Sequence, residues 1–216
     1  MRVSLRRRDL LLAAGLCAIG TLRAAAAPLA APRRLKLKNV NTGETFDGSY
    51  RDGDGPIPAA LEDLIQLLRD HHANKTGPLD IATLDFLADV MMATGESSAL
   101  ILSAYRTPAT NAWLARTQFG VAERSQHMYG RALDVSFDRR LVDARDAARR
   151  MRLGGVGWYP ASHFIHIDTG PVRNWELGGS GFDALLIGRK LGPNQPVAAR
   201  MARLRALAWR EHLAGH

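Results

Sequence analysis

Two short apolar stretches, each interrupted by residues that belong in water, constrain this chain most. Ala132-Leu133-Asp134-Val135-Ser136-Phe137 sets a carboxylate among aliphatic and aromatic neighbours, and Phe164-Ile165-His166-Ile167-Asp168 sets an imidazole and a second carboxylate. Runs of this length, rich in branched residues, read as buried strands: Leu133–Phe137 and Phe164–Ile167. A charge withdrawn from water costs several kcal/mol unless it is paired. A metal cation is one such partner for Asp134, and two strands side by side could bring Asp134 and His166 together with His127. The two-residue period of a strand puts Asp168 on the same face as His166.

The rest of the chain supplies a framework for such strands. Leu35–Val40 alternates apolar and polar residues as a half-buried strand does, Asn41–Glu44 reads as a turn, and Thr45–Tyr50 as the returning strand of a hairpin. Pro58–Asn74 and Asp80–Thr94 carry apolar residues at helical spacing, and so does Leu141–Leu153. Leu100–Leu102 and Val156–Tyr159 read as further short strands, and Asn111–Gly120 as a short helix. Helices come first and strands then gather around a helix, which predicts an α+β fold. Its small antiparallel sheet carries the polar cluster and packs against the helices.

The ends are of a different character. Arg6-Arg7-Arg8 precede an apolar run, Leu10–Gly20, and a small-residue exit, Ala24–Ala27, which is the pattern of an export signal cut after Ala26. Arg7-Arg8-Asp9-Leu10-Leu11 resembles a twin-arginine signal, so the expected location is the periplasm. The apolar run is short for a bilayer, and no stable membrane span is expected after processing. Residues 27–34 read as a linker, 35–180 as the domain, and 181–216 as an extension with a basic amphipathic helix from Pro196 to about His212. That helix suits either an anionic surface or docking on the core.

The charge of +8 and pI of about 10.3 suggest a polyanion binder. Residues 1–26 hold five of the arginines and one aspartate, however, leaving 24 Lys+Arg against 20 Asp+Glu, or +4. Nucleic acid is therefore not expected as a partner. Cys17, the only cysteine, is also lost with that segment. Any metal site must then use histidine and carboxylate. Asp52-Gly53-Asp54-Gly55 begins like a calcium loop but lacks the later ligand positions. His71, His72, His212 and His216 lie at a helix end or in the tail.

His127 is different. It stands seven residues before Asp134, with Gly130 between them to let the backbone turn tightly. Two histidines and a carboxylate are what a cysteine-free catalytic zinc site needs, with its fourth position left to water. Spacing alone leaves a zinc site and a metal-free polar cluster both open.

The residues then match a larger pattern. Ser103-Ala104-Tyr105-Arg106-Thr107-Pro108, Asn111, Ser125–Val135 (SQHMYGRALDV), Gly154–Pro160 (GGVGWYP) and Phe164–Trp175 follow one another in order. Over roughly residues 34–176 the chain resembles the D-alanyl-D-alanine metallopeptidases and their lysostaphin- and hedgehog-like relatives, and most closely the YcbK-like murein endopeptidases. The resemblance implies Zn2+ held by His127, Asp134 and His166, with Arg106 directed at the substrate and Ser125 supporting the His127 loop. Dipeptidase relatives carry a glutamate three residues before the last ligand; here that position is His163. His163 and Asp168 are thus both candidates for the general base, and Asp168 could equally orient a ligand histidine. Tyr129, Trp158, Tyr159 and Arg173 are candidates for the cleft wall.

The implied activity is hydrolysis of a D-amino-acid-containing peptide cross-link in peptidoglycan. Both D-alanyl–diaminopimelate and diaminopimelate–diaminopimelate links are candidates. The alternative is a zinc-stabilised cell-wall-binding module without catalysis. Nothing in the pattern demands more than a monomer.

Overall fold

The computed structural model describes residues 31–117 and 121–177. The expected signal segment and the expected C-terminal helix lie outside these residues. Among the described residues, eight strands form one sheet. They are β1 (Arg33–Asn39), β2 (Thr45–Asp52), β3 (Gly55–Pro56), β4 (Ala99–Ser103), β5 (Ala132–Ser136), β6 (Gly155–Tyr159), β7 (Phe164–Asp168) and β8 (Arg173–Glu176). The order across the sheet is β3-β2-β1-β4-β5-β7-β6-β8. Four helices accompany them: α1 (Pro58–Leu67), α2 (Ile81–Thr94), α3 (Pro108–Thr117) and α4 (Leu141–Met151).

The α+β class holds, and β4, β5, β7 and β6 form the antiparallel sheet expected around the site. The whole sheet is larger and mixed, because β1 runs parallel to β4 and β8 parallel to β6. Period-two alternation divides its two faces. Leu133, Val135, Ile165, Ile167, Val156 and Trp158 face inward and pack with Leu84, Leu87 and Val90 of α2 and with Ala144 and Ala148 of α4. Burying each large aliphatic side chain contributes about 1.5–3 kcal/mol. Asp134, Ser136, His166 and Asp168 occupy the opposite face. Helices thus close one side of the sheet and leave the other for chemistry.

Several elements differ from expectation: α3 begins at Pro108, three residues before the expected Asn111, and Gly55–Pro56, read as loop, pairs with β2 as β3. β1 begins at Arg33, inside the stretch read as a linker. β8 was not foreseen. The first helix was expected to reach Asn74, but α1 stops at Leu67. The cause is Asp70, 1% exposed, whose carboxylate accepts from the backbone amides of His72 (2.9 Å) and Ala73 (3.1 Å) and from Thr107 N (2.8 Å) and Oγ1 (2.9 Å). A side chain that draws in the following amides competes with the helical ladder. It also ties the end of α1 to the segment after β4.

Burial opposes ionisation of Asp70, but hydrogen bonds from Thr110, Thr107 and Ala73 outweigh it and hold its pKa below the ordinary value. Its contribution to stability is therefore present above the unfolded-state pKa and is lost as pH falls through the folded one. Asp70→Ala leaves several buried donors without an acceptor. It is expected to cost about 3 kcal/mol, a fall in thermal midpoint of roughly 6–12 °C. Calorimetry from pH 7 to pH 3 should also show a shallower acid loss in the variant. An unchanged midpoint would contradict this account of Asp70.

Candidate metal centre

Strand register builds the site as three parallel rungs on the open face. The middle rung runs Asp134, His166, Gly157, Trp175 across β5, β7, β6 and β8. One rung to one side lie Ala132, Asp168, Gly155 and Arg173; one to the other lie Ser136, Phe164 and Tyr159. His127 reaches the middle rung from a 3-10 turn, Gln126–Tyr129, that precedes β5.

The turn is fixed from both ends. Ser125 Oγ accepts from the His127 amide at 3.4 Å, the support expected of it. Gly130 closes the turn at φ 66°, and a Cβ there would meet the Pro78 carbonyl oxygen at 1.9 Å, so no other residue fits. The segment after β4 then clasps His127. Arg106 N donates to the His127 carbonyl at 3.2 Å, while His127 Nδ1 donates to the Ala104 carbonyl at 2.6 Å.

That last bond fixes the tautomer: with Nδ1 protonated, Nε2 offers its lone pair to the site. His166 is fixed in the opposite sense, its Nε2 lying 2.8 Å from Asp168 Oδ2 and its Nδ1 turned to Asp134. The three facing atoms form a tight triangle. His127 Nε2 lies 3.3 Å from His166 Nδ1 and 3.3 Å from Asp134 Oδ1, and His166 Nδ1 lies 2.9 Å from Asp134 Oδ1. Ligands about 2.0–2.1 Å from one tetrahedral centre stand about 3.3 Å from each other. The donor set and spacing fit a divalent cation, and His127, Asp134 and His166 are together the group that could hold one among the described residues.

The electrostatics agree. Burial opposes ionisation of Asp134, but His127, His166 and Arg106 outweigh it and hold the carboxyl well below its usual range. Burial, then the Arg106 charge, lowers His127 to about 4, so its imidazole is neutral and able to ligate at neutral pH. Burial also lowers His166, but Asp134 and Asp168 outweigh it and raise its proton affinity. The centre is thus built to receive positive charge between two carboxylates.

The other expected site residues fall as follows. Asp168 is 0% exposed. Its Oδ1 accepts from Gly170 N (2.8 Å), Gly155 N (3.3 Å) and Arg173 Nη1 (3.0 Å), and its Oδ2 faces Arg173 Nη2 (2.8 Å) and His166. Arg106, expected to point at substrate, directs Nη2 to Asp134 Oδ2 at 2.6 Å and Nε to Ser103 Oγ at 2.8 Å. His163 sits in the turn before β7 at φ 56°, with Nδ1 3.2 Å from Ser136 Oγ on the ligand face. Trp158 belongs to the core, beneath the Arg145 guanidinium, whereas Tyr159 and Arg173 share the ligand face. Tyr129 is half exposed beside the 3-10 turn.

Trp175 was missed. Its indole covers Gly157, where a Cβ would come 2.6 Å from the ring, and its centroid lies 5.2 Å from that of His166. The signal available in the sequence was Gly157 itself, an isolated glycine in an apolar strand, which marks a close approach.

An α+β sheet that presents two histidines and one aspartate at ligand spacing defines a metallohydrolase-type centre. The family described as peptidoglycan L,D-endopeptidase MepK matches residues 27–175. Peptidoglycan L,D-endopeptidase MepK of Escherichia coli K12 is 40% identical over 146 residues, covering 67% of this chain and 80% of that protein. The Shigella flexneri protein of the same name matches equally well, and a probable peptidoglycan L,D-endopeptidase MepK of Haemophilus influenzae is 38% identical over 148 residues. No solved structure matches. The chain belongs to this M15 metallopeptidase family of peptidoglycan endopeptidases.

Proposed function

We propose that this chain is a zinc-dependent endopeptidase that cuts the direct diaminopimelate–diaminopimelate cross-link of peptidoglycan. The observation that carries the reading is the buried triangle of His127 Nε2, Asp134 Oδ1 and His166 Nδ1, each edge 2.9–3.3 Å. The relatives' name specifies a bond between an L- and a D-centre. That description suits the diaminopimelate–diaminopimelate link, whereas the D-alanyl–diaminopimelate link joins two D-centres. Export by the twin-arginine route, supported by Arg7-Arg8-Asp9-Leu10-Leu11, brings a monomeric enzyme to this polymer. No described helix is long and apolar enough to cross a membrane.

Zinc, when bound by His127, Asp134 and His166, supplies Lewis-acid polarisation and lowers the pKa of water towards about 7. The chain's own groups do the rest. His163 takes the proton of the attacking water and returns it to the leaving amine. Ser136 Oγ orients the His163 ring through Nδ1. Asp168 keeps His166 in the tautomer that ligates through Nδ1, and Arg173 keeps Asp168 ionised. Arg106 fixes Asp134 through one oxygen and leaves the other for the metal; its Nη1, which makes no hydrogen bond among the described residues, points to the substrate carbonyl as a charge-assisted donor.

The test is incubation of the mature protein, residues 27–216, with isolated sacculi, zinc-loaded or chelator-treated, followed by mass analysis of muropeptides. Diaminopimelate-linked dimers should vanish only from the zinc-loaded sample. Loss of D-alanyl-linked dimers instead would reassign the bond. An unchanged profile from zinc-loaded protein would favour the binding module, whose best support is the histidine at the position of the dipeptidase glutamate.

A further inference from the structure

Tyr159 ends β6 on the ligand face, one rung from His166. Its ring stacks on Phe164 with centroids 4.3 Å apart and planes 12° apart. Its Oη accepts a hydrogen bond from Trp175 Nε1 at 3.0 Å. Trp175 is itself seated on Gly157 and against His166. The phenol is therefore held from two sides in one orientation.

The chemistry of the pair gives that orientation a sense. An indole N–H can only donate, so it occupies a lone pair of Oη and leaves the phenolic hydrogen to be given elsewhere. Among the described residues, no protein acceptor takes it. Burial, and then the negative charge of Asp134, raise the proton affinity of Tyr159, so the hydroxyl keeps its hydrogen at neutral pH. Arg106 meanwhile has Nε and Nη2 directed to Ser103 and Asp134. An amide carbonyl becoming tetrahedral gains charge on oxygen, and donors fixed in advance at that position lower the barrier.

We propose that Tyr159 Oη is a second oxyanion donor, giving a hydrogen bond to the scissile carbonyl oxygen in addition to that from Arg106. The phenol does not transfer its proton; it only donates. The proposal rests on the hydrolase reading above and adds to it a catalytic residue, with Trp175 as its positioning residue.

Tyr159→Phe tests this directly, because it removes one oxygen and keeps the stacked ring. On purified diaminopimelate-linked dimer, kcat should fall about 10²-fold or more while KM changes less than about threefold. Zinc content and thermal midpoint should stay at wild-type values. Calorimetric titration with a phosphinate isostere of an L,D-dipeptide gives a second reading, since its tetrahedral oxygens mimic the oxyanion. Its affinity should weaken about 100-fold in Tyr159→Phe, whereas binding of the monomeric product peptide should not. Trp175→Phe keeps an aromatic ring but loses the N–H, and should give an intermediate loss of kcat with KM retained. Values for Tyr159→Phe within twofold of wild type in both kcat and phosphinate affinity overturn the proposal. Wild-type protein that binds the phosphinate through Tyr159 yet leaves all dimers intact upholds the donor role and sinks the hydrolase reading. Wild-type protein that neither cleaves nor binds overturns both.

Discussion

Asp134→Ala is expected to release the metal and abolish hydrolysis, the largest effect of any single change in the site. Asp134 is the one anionic member of the proposed ligand set and the group that lies between the two imidazoles. Apparent zinc binding in structural sites is worth about 10–16 kcal/mol. Losing one of three protein ligands should therefore remove several kcal/mol, and each 1.36 kcal/mol is about tenfold in rate or affinity. A fall in kcat of at least about 10⁴-fold is expected, with zinc below one-tenth equivalent by mass spectrometry. The variant also leaves the Arg106 guanidinium buried beside its former partner, so stability falls even in the apo form.

Asp168→Asn makes the contrast. It retains the shape but weakens the hold on His166, and should lower metal affinity only about 10–100-fold. Chelating the wild-type protein should lower its thermal midpoint as well, since a ligand at 1,000 times its Kd adds about 4 kcal/mol. Full activity and one zinc per chain in Asp134→Ala would remove the site from the reaction.

Asp134 and His166 were legible as candidate ligands because burial made them conspicuous, whereas the resemblance supplied the full set with His127. A carboxylate between Leu133 and Val135, and an imidazole between Ile165 and Ile167, have no business in a strand without a common partner. The two-residue period of a strand likewise puts Asp168 on the face of His166. What stayed hidden depends on contacts between distant segments. β8 has no alternation to read: Arg173, Asn174 and Glu176 are exposed and Trp175 half-buried. It exists because β6 offers a free edge and Gly157 a seat for an indole. Arg173 could be seen as a cleft residue, but its bidentate grip on Asp168 follows only from β6 lying between β7 and β8. The early end of α1 was hidden for the same reason, because Asp70 finds Thr107 across 37 positions of chain.

His163→Ala should separate the two candidate bases, which the sequence left level. Asp168 has no exposure, and both its oxygens already face donors from Gly155, Gly170, Arg173 and His166. A carboxylate so enclosed can orient a ligand but has no access to a water. Its pKa agrees: burial opposes ionisation, yet His166 and Arg173 hold it far below the carboxylate range, which makes it a poor proton acceptor at neutral pH. His163 is the reverse. It is half-buried, lies three residues before His166, and is held at φ 56° in the left-handed region, which for a residue with a Cβ costs about 1–3 kcal/mol. That conformation turns its ring towards Ser136 on the ligand face instead of continuing the strand.

His163→Ala should therefore retain one zinc and the wild-type thermal midpoint while kcat falls about 10²–10⁴-fold, the usual worth of a positioned base. KM should move little, and added imidazole should restore part of the rate. Ser136→Ala, which removes one hydrogen-bond partner of the ring and keeps the imidazole, should cost about tenfold. The opposite pattern, an active His163→Ala and a zinc-loaded but inert Asp168→Asn, would transfer the proton to Asp168. It would also require the Asp168 enclosure to open during turnover.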